Sequence, residues 1–231
     1  MDWDQYARTY PQLDDKVAVP PLLQRAMSGS SGSALDLGCG EGALLTLLRD
    51  AFGHSWELSG FEVSPTRAEA ARSRGHHVAL DEGATVPFPP GSFDLVISTH
   101  VIEHAPDDHA YARTLREMAK PGGLIYVETP VKLPGAWYFR RNPQAGWVLD
   151  PTHLREYRSA AAVNEVLRSA GLEILDEDLT KIVFPLAAAE RLVRRMLHIP
   201  PQTTQHLDGL RATAVPIPRY RQQAVLARRP T

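Results

Sequence analysis

Cysteine is almost missing: Cys39 is the only one in 231 residues. A lone cysteine closes no internal disulfide and builds no cysteine-based metal cluster. Long apolar runs are missing as well. The longest, 182–189, spans eight residues and is interrupted by Pro185, far short of the ~20 residues a membrane-crossing helix needs. The start of the chain lacks the positive charge of a secretory leader, since it reads Met1-Asp2-Trp3-Asp4. A soluble, cytoplasmic chain with no membrane partner is the expectation. Internal repeats are also lacking.

What is present is an ordinary balance, with 43% apolar and 23% charged residues, 16 Gly, 19 Pro and a net charge of −2. That excludes collagen-like, coiled-coil and largely disordered classes and fits one globular domain over residues 1–231. The charge is unevenly spread. Residues 181–231 hold nine Lys/Arg against two Asp/Glu, a net of +7, which leaves −9 on residues 1–180. The basic segment reads either as a solvated surface docked on an acidic one or as a wall facing an anionic substrate. The acidic remainder argues against nucleic acid as a partner, which would require a basic track.

Strand-like and helix-like segments alternate. Residues 33–37, 56–63, 76–80, 93–98 and 124–128 read as strands, and 41–51, 65–74 and 107–119 as helices. Ser64 is a good N-cap with Pro65 at the first helical position. Pro121-Gly122-Gly123 breaks the third helix, and the SGSSGS stretch at 28–33 connects an amino-terminal cap helix to the first strand. Such alternation specifies an α/β fold with a doubly wound, mostly parallel sheet. The reading divides the chain into a cap segment (1–32), a core (33–129), a lid (130–152) rich in aromatics, and an insertion (186–220). Residues 159–169 read as a helix, 172–179 as a strand, 186–199 as an amphipathic helix, 200–218 as Pro-rich and 222–227 as a last strand.

Asp36-Leu37-Gly38-Cys39-Gly40-Glu41-Gly42 joins the first strand to the first core helix. Alternating glycines there let a ligand approach the backbone, and the helix start adds unpaired N–H donors. A nucleotide-like ligand at the carboxyl ends of the strands is the default for this architecture. Gly38-x-Gly40-x-x-Ala43 alone also fits a dinucleotide pattern, so a NAD-dependent dehydrogenase stands as one alternative. Glu62 closes the second strand, 24 residues after Gly38, where a carboxylate can accept bonds from two ribose hydroxyls. Asp36, just before the first glycine, would repel a pyrophosphate.

DLGCGEG, an acidic end to the second strand, VPFPPGSFDLVISTHVIEH and KPGGLIYVETP follow one another in this order. Together they resemble the class I S-adenosylmethionine-dependent methyltransferases, nearest to the ubiquinone-biosynthesis-like branch, over about residues 33–175. The resemblance implies a seven-stranded sheet in the order 3-2-1-4-5-7-6 with an antiparallel last strand. It implies S-adenosyl-L-methionine as cofactor, with Asp36, Gly38, Gly40 and Gly42 around the methionine part, Glu62 on the ribose and Val63 on the adenine. Glu82 stands where the family usually has an Asp beside the adenine amine, and Asp81 is the substitute for that contact. Ser98, Thr99 and His100 would leave the fourth strand beside the sulfonium.

The implied chemistry is an in-line displacement at the methyl carbon, for which the protein supplies alignment, exclusion of water and a base. His100, Glu103 and His104 lie at i, i+3 and i+4 and share a face if a helical turn follows the strand. Together with His153 they are the catalytic candidates, histidine being suited to a base near neutral pH. The competing role is hydrogen bonding to backbone at the turn. His-x-x-Glu-His at 100–104 with His153 in HLREY also resembles the Glu-x-x-Glu-His…His pattern of metal-dependent small-RNA 2′-O-methyltransferases and of metal-assisted O-methyltransferases of quinone synthesis. Here His100 replaces the first Glu, which disfavours an oxygen-seeking Mg²⁺. The expectation from sequence is no metal, and turnover indifferent to chelators.

For the acceptor, Trp137, Tyr138 and Phe139 with Arg140 and Arg141 read either as lid packing or as a pocket of stacking rings with an anion clamp. Trp3, Tyr6 and Tyr10 have helical spacing and would close the same mouth. The substrate candidates are therefore Tyr6, Tyr10, Trp137 and Arg140. The leading reading is a methyltransferase acting on O or N of a small-molecule acceptor that carries an anionic group. The alternatives are a metal-dependent RNA 2′-O-methyltransferase and a non-catalytic cofactor-binding partner protein.

Overall fold

The computed structural model describes residues 3–9, 18–81, 86–136, 140–143, 145–185 and 214–231. Its frame is one sheet. The first three strands are β1 (Gly32–Leu37), β2 (Trp56–Glu62) and β3 (His77–Leu80). Four more follow: β4 (Phe93–Thr99), β5 (Ala119–Lys132), β8 (Glu173–Pro185) and β9 (Ala214–Arg228). The order across the sheet is β3-β2-β1-β4-β5-β9-β8. Counting only the sheet's own strands, that is 3-2-1-4-5-7-6, as the family resemblance implies. Neighbours from β3 to β5 run parallel, and β9 lies antiparallel to both β5 and β8. The strands β6 (Arg140–Asn142) and β7 (Gly146–Val148) form a separate small hairpin.

The helices are α1 (Trp3–Thr9), α2 (Pro21–Met27), α3 (Ala43–Phe52), α4 (Pro65–Ser73), α5 (Asp108–Met118) and α6 (Ala160–Ser169). Three start on side chains that accept a backbone N–H: Ser64 from Arg67, Asp107 from Ala110 and Ser159 from Ala162. Each satisfies a donor the first helical turn leaves open.

Both faces of the sheet are buried, which is why its central strands read as near-continuous apolar runs. On one face Leu22, Leu23 and Met27 of α2 and Leu44 and Leu48 of α3 pack on Ala34, Leu95, Ile97 and Tyr126. On the other, Ala112, Leu115 and Met118 of α5 and Val163 and Leu167 of α6 cover Leu35, Val96, Ile125 and Val127. No helix among the described residues is long and apolar enough to cross a membrane.

The boundaries differ from the sequence reading in two places. The expected lid at 130–152 is partly frame: 130–132 extend β5, and 140–148 carry the small hairpin. The strand expected at 172–179 runs on to Pro185, and the expected insertion at 186–220 ends earlier, because 214–220 already belong to β9. Beyond the last pair with β5, Lys132↔Tyr220, residues 214–216 ladder with β8 alone, and Pro218 falls at the register irregularity between Lys181 and Val183. A strand with one partner tolerates Pro216, and the irregularity tolerates Pro218; in isolation both signal a loop. The helix expected at 186–199 lies outside the described residues.

Candidate active site

The site is built where β1, β2, β4 and β5 end. After Leu37 the chain turns through Gly38 and Gly40 with φ of +90° and +56°. Gly38 and Cys39 both donate their N–H to the Phe61 carbonyl, at 2.8 and 3.0 Å. A Cβ on Gly38 would stand 2.4 Å from Cγ2 of Val101. Gly38→Ala therefore combines a left-handed backbone with a steric clash, and is expected to cost about 1–3 kcal/mol in stability. A denaturant titration checks it; a midpoint equal to wild type would mean the turn can relax freely.

Glu62, at the end of β2, is buried at 5% exposure. One carboxylate oxygen accepts Gly40 N–H at 2.8 Å; the other accepts the N–H groups of Val63 and Ser64, both at 2.9 Å. The side chain thus fastens the glycine turn to the end of β2. A carboxylate has about four acceptor positions, so one remains on the oxygen that holds Gly40.

These groups line one end of a cavity of about 660 Å³ with Asp36, Val63 and Arg67. The volume is within the ~300–1,000 Å³ typical of small-molecule sites. The other end is lined by His100, Glu103, His104, Glu128, His153 and Trp3. Val63 is 39% exposed, an apolar side chain presented to the cavity.

His100 takes a left-handed φ of +58°, unusual for a residue with a Cβ. The turn is held by its own N–H on the Glu128 carbonyl at 2.8 Å. Its ring sits between two carboxylates, Nδ1 3.5 Å from Glu103 and Nε2 3.7 Å from Glu128. A short 3-10 turn, Ile102–His104, follows. His100, Glu103 and His104 therefore do meet, through a left-handed residue and a 3-10 turn rather than along one α-helical face.

Glu103 is fully buried, with Oε2 accepting the Thr129 hydroxyl at 2.9 Å. Burial alone would raise its carboxyl; hydrogen bonding to His100 and the charges of His104, His100 and His153 outweigh that and hold it at about 2. Burial pushes His104 down against the opposing pull of Glu103. For His153 burial also favours the neutral ring, but the bond to Glu156 and the Glu103 charge prevail and raise it. The His104 and His153 rings meet edge to face at 4.8 Å, and Trp3 stands edge-on to His104 at 5.6 Å.

The HLREY segment holds this cluster together. The Arg155 guanidinium donates to the carbonyls of Ile102, Ala105 and Pro106 and pairs with Asp108 at 3.3 Å. The Tyr157 hydroxyl donates to Asp108 at 2.8 Å, and Leu154 N–H reaches the Glu103 carbonyl at 3.0 Å. Asn142, on β6, donates to the carbonyls of Pro151 and His153. Sequence reasoning singled out only His153 here; the rest act on partners far away along the chain.

Of the expected cofactor residues, Asp36, Gly38, Gly40, Glu62, Val63 and His100 line the cavity. Gly42 does not; its φ of +79° caps α3. Ser98 is a correction. It is fully buried, and its hydroxyl pairs with Tyr111 at 2.9 Å, while Thr99 and His100 face the cavity. Strand alternation sends residue 98 to the α5 face. Asp81 lies outside the cavity lining, its N–H on the Glu62 carbonyl at 3.0 Å. Glu82, Tyr10 and Trp137 lie outside the described residues, as do the side chains of Tyr6 and Arg140. Glu128, Asp150 and Lys181 line the cavity without having been singled out. Glu128 carried a readable signal, an acidic residue near the carboxyl end of a core strand, the same signal that marked Glu62.

A family model described as a methyltransferase domain matches residues 11–177. A probable S-adenosylmethionine-dependent methyltransferase of Mycolicibacterium smegmatis is 31% identical over 158 residues, 67% of this chain and 58% of that protein. The chain thus spans less than two thirds of that relative's length. A ubiquinone biosynthesis O-methyltransferase of Marinobacter nauticus is 26% identical over 207 residues, 83% of this chain and 84% of the relative. Among solved structures, a [4+2]-cyclase superposes with a TM-score of 0.63 at 23% identity, over 91% of this chain and 80% of that one. At that identity the likeness speaks for the fold alone. The match to the family model over most of the chain, on a sheet of this order with a glycine turn facing Glu62, settles the assignment: the chain belongs to the methyltransferase domain family, as a class I S-adenosylmethionine-dependent methyltransferase domain.

Proposed function

We propose that the chain transfers the methyl group of S-adenosylmethionine to an oxygen or nitrogen of a small-molecule acceptor. The observation that carries this reading is the single cavity joining the Gly38–Glu62 end to the His100–His153 end. The cofactor's ribose would take the remaining acceptor position of Glu62, and its adenine would pack on Val63. The sulfonium would then point toward Thr99 and His100. In the transfer the S–CH₃ bond breaks as the acceptor's O–C or N–C bond forms. Sulfur keeps the electron pair and becomes a neutral thioether, and the acceptor's proton goes to His100. His100 suits that task because its ring lies between two carboxylates, Glu103 and Glu128, that can orient it toward the acceptor.

Lys181 on β8 lines the cavity and supports an acceptor with an anionic group. The relatives named above methylate, one of them in ubiquinone biosynthesis, which is the support for a small acceptor. A methyl-labelled cofactor incubated with a panel of phenols, acids and amines tests the reading. Label must leave the cofactor in stoichiometric yield with S-adenosylhomocysteine; a chain that binds the cofactor and never releases label supports the non-catalytic alternative.

Residues 137–141 come soon after β5 in the sequence, and in this architecture the segment after that strand can roof the site, which supports an acceptor role for them. Trp137→Ala and Arg140→Ala are each expected to lower kcat/KM for the true acceptor about tenfold or more, or roughly 1.4 kcal/mol. Affinity for S-adenosylhomocysteine should stay within a few-fold. A sharp fall in melting temperature with normal turnover would instead make Trp137 part of the packing, where truncation costs ~3–5 kcal/mol.

A further inference from the structure

Two adjacent glutamines on β9 are treated differently by the fold. The NH₂ of Gln223 donates to the Ala160 carbonyl, to Asn164 Oδ1 and to Glu177. Gln222, on the opposite face of the strand, lines the cavity, and its amide nitrogen is buried with no hydrogen-bond partner among the described residues. A buried donor without a partner is unfavourable. With no bond to hold it, the amide can turn its NH₂ toward a ligand.

Thr180 pairs with Gln222 in the β8–β9 ladder, so the two side chains share a face with Cβ atoms about 4.5–5.5 Å apart. A flat β8 would show the cavity every second residue. Thr180, Lys181, Ile182 and Val183 all line it. The register irregularity between Lys181 and Val183 falls within that run, and a bulge beside a site re-aims side chains in this way. Lys181 makes no ion pair among the described residues. It stands opposite Arg221 in the ladder; like charges placed so repel, and an anion beside them relieves the repulsion. Among the described lining residues the Lys and Arg side chains are Lys181 and Arg67, and Arg67 belongs to the Glu62 end.

We infer that Gln222, Lys181 and Thr180 form a subsite for a carboxylate of the methyl acceptor, on the β8–β9 side of the cavity. An amide NH₂, a hydroxyl and one full positive charge match a planar monoanion; a phosphate dianion would keep a charge uncompensated. Ile182 and Val183 supply apolar surface for the acceptor's carbon frame. Glu128 sets the sense in which the acceptor lies. It pairs with Ala224, and Pro130 with Gln222, so Gln222 is the diagonal neighbour of Glu128, about 7–8 Å away. Glu128 accepts the Tyr126 hydroxyl at 2.8 Å, and its other oxygen stands 3.7 Å from His100 Nε2. With Glu103 on the far side of the His100 ring, a carboxylate entering the reverse way would meet two negative groups. The acid end therefore lies against β8, and the oxygen or nitrogen to be methylated lies against His100. The class of acceptor is a hydroxy or amino acid anion whose two groups are held apart by a ring or short chain. That orientation rests on the methyl-transfer reading; carboxylate binding at Gln222 does not.

The test follows the side-chain NH₂ signal of Gln222 by amide NMR on the full chain with S-adenosylhomocysteine added, the signal being identified by its loss in Gln222→Leu. Benzoate and hexanoate are titrated against their neutral amides, benzamide and hexanamide, and phenyl phosphate serves as the dianion. S-adenosylhomocysteine calorimetry is run on the same sample. The expected result is a saturable shift with both carboxylates, at affinities at least tenfold above those of the amides. Lys181→Gln, at an exposed position, should weaken the carboxylates about two- to fivefold, the scale of an exposed ion pair, and leave the amides unchanged. Gln222→Leu, read from the ligands' own signals, should weaken them about tenfold or more, the scale of a hydrogen bond to a charged group. A Gln222 signal that neither carboxylate moves, or that the amides move equally, overturns the inference. Carboxylate binding unchanged in both variants overturns it too, and tighter binding of phenyl phosphate overturns the assignment to a carboxylate. Failure of S-adenosylhomocysteine to bind, with the carboxylate response intact, would overturn the cofactor reading and leave the subsite standing.

Discussion

Glu62→Ala is expected to weaken S-adenosylhomocysteine binding by roughly 1.5–3 kcal/mol, the scale of losing charge-assisted hydrogen bonds to a ligand. It is also expected to lower stability, because the same carboxylate accepts N–H groups from Gly40, Val63 and Ser64. Each buried donor left without a partner costs about 1–3 kcal/mol. The two effects separate in Glu62→Gln. The amide keeps one oxygen for the backbone but gives up the negative charge and places an NH₂ against a donor. Calorimetry reads the ligand term and thermal melting reads the fold. If Glu62→Gln melts early yet binds S-adenosylhomocysteine normally, the carboxylate is a fastener of the turn and the ribose role is wrong. Binding of NAD with no response to S-adenosylhomocysteine would remove the cofactor assignment altogether.

His100→Asn is expected to lower kcat about 10²–10⁴-fold, the usual contribution of a positioned base. Asparagine is the informative replacement because it tolerates the left-handed φ of +58° that residue 100 adopts. Folding and S-adenosylhomocysteine affinity should then change little, and the loss should appear in turnover. Unchanged kcat would assign proton removal to solvent or to an acceptor that is already ionised when it binds.

The parts of this molecule that were legible in the sequence are those set by neighbours along the chain. The glycine turn, Glu62 and the cap at Ser64 each sit at the end of a strand where the next helix begins. The strand order was legible only through the family resemblance, since periodicity carries no information about which edge a strand joins. Ser98 was misplaced because one residue of strand alternation separates the α5 face from the cavity. The arms of β8 and β9 were underestimated because pairing 30 to 40 residues apart, as in Val183↔Pro216, overrides the local signal of proline. The cluster of Glu103 and His104 with His153 was legible only through the resemblance for the same reason: they meet through a loop whose course is set by Arg155, Tyr157 and Asn142 acting at long range.

The short helix α1 has a consequence for how ligands come and go. Seven residues do not sustain a helix in water by themselves. This one is pinned by Asp4, whose carboxylate takes the Thr66 N–H at 2.9 Å and the Ser64 hydroxyl at 3.1 Å. The Thr66 bonds come first among the causes that hold that carboxyl down at about 2, so the pin persists until quite acid pH and is lost as pH falls through that value. Through Trp3 the same helix touches His104 at the far end of the cavity. One removable latch therefore spans both halves of the chamber. Its opening requires the loss of a few surface contacts and no disturbance of the sheet. On the proposed methyl-transfer reading, the spent donor and the methylated product would leave past the same helix, which would couple their residence times even though they touch different side chains.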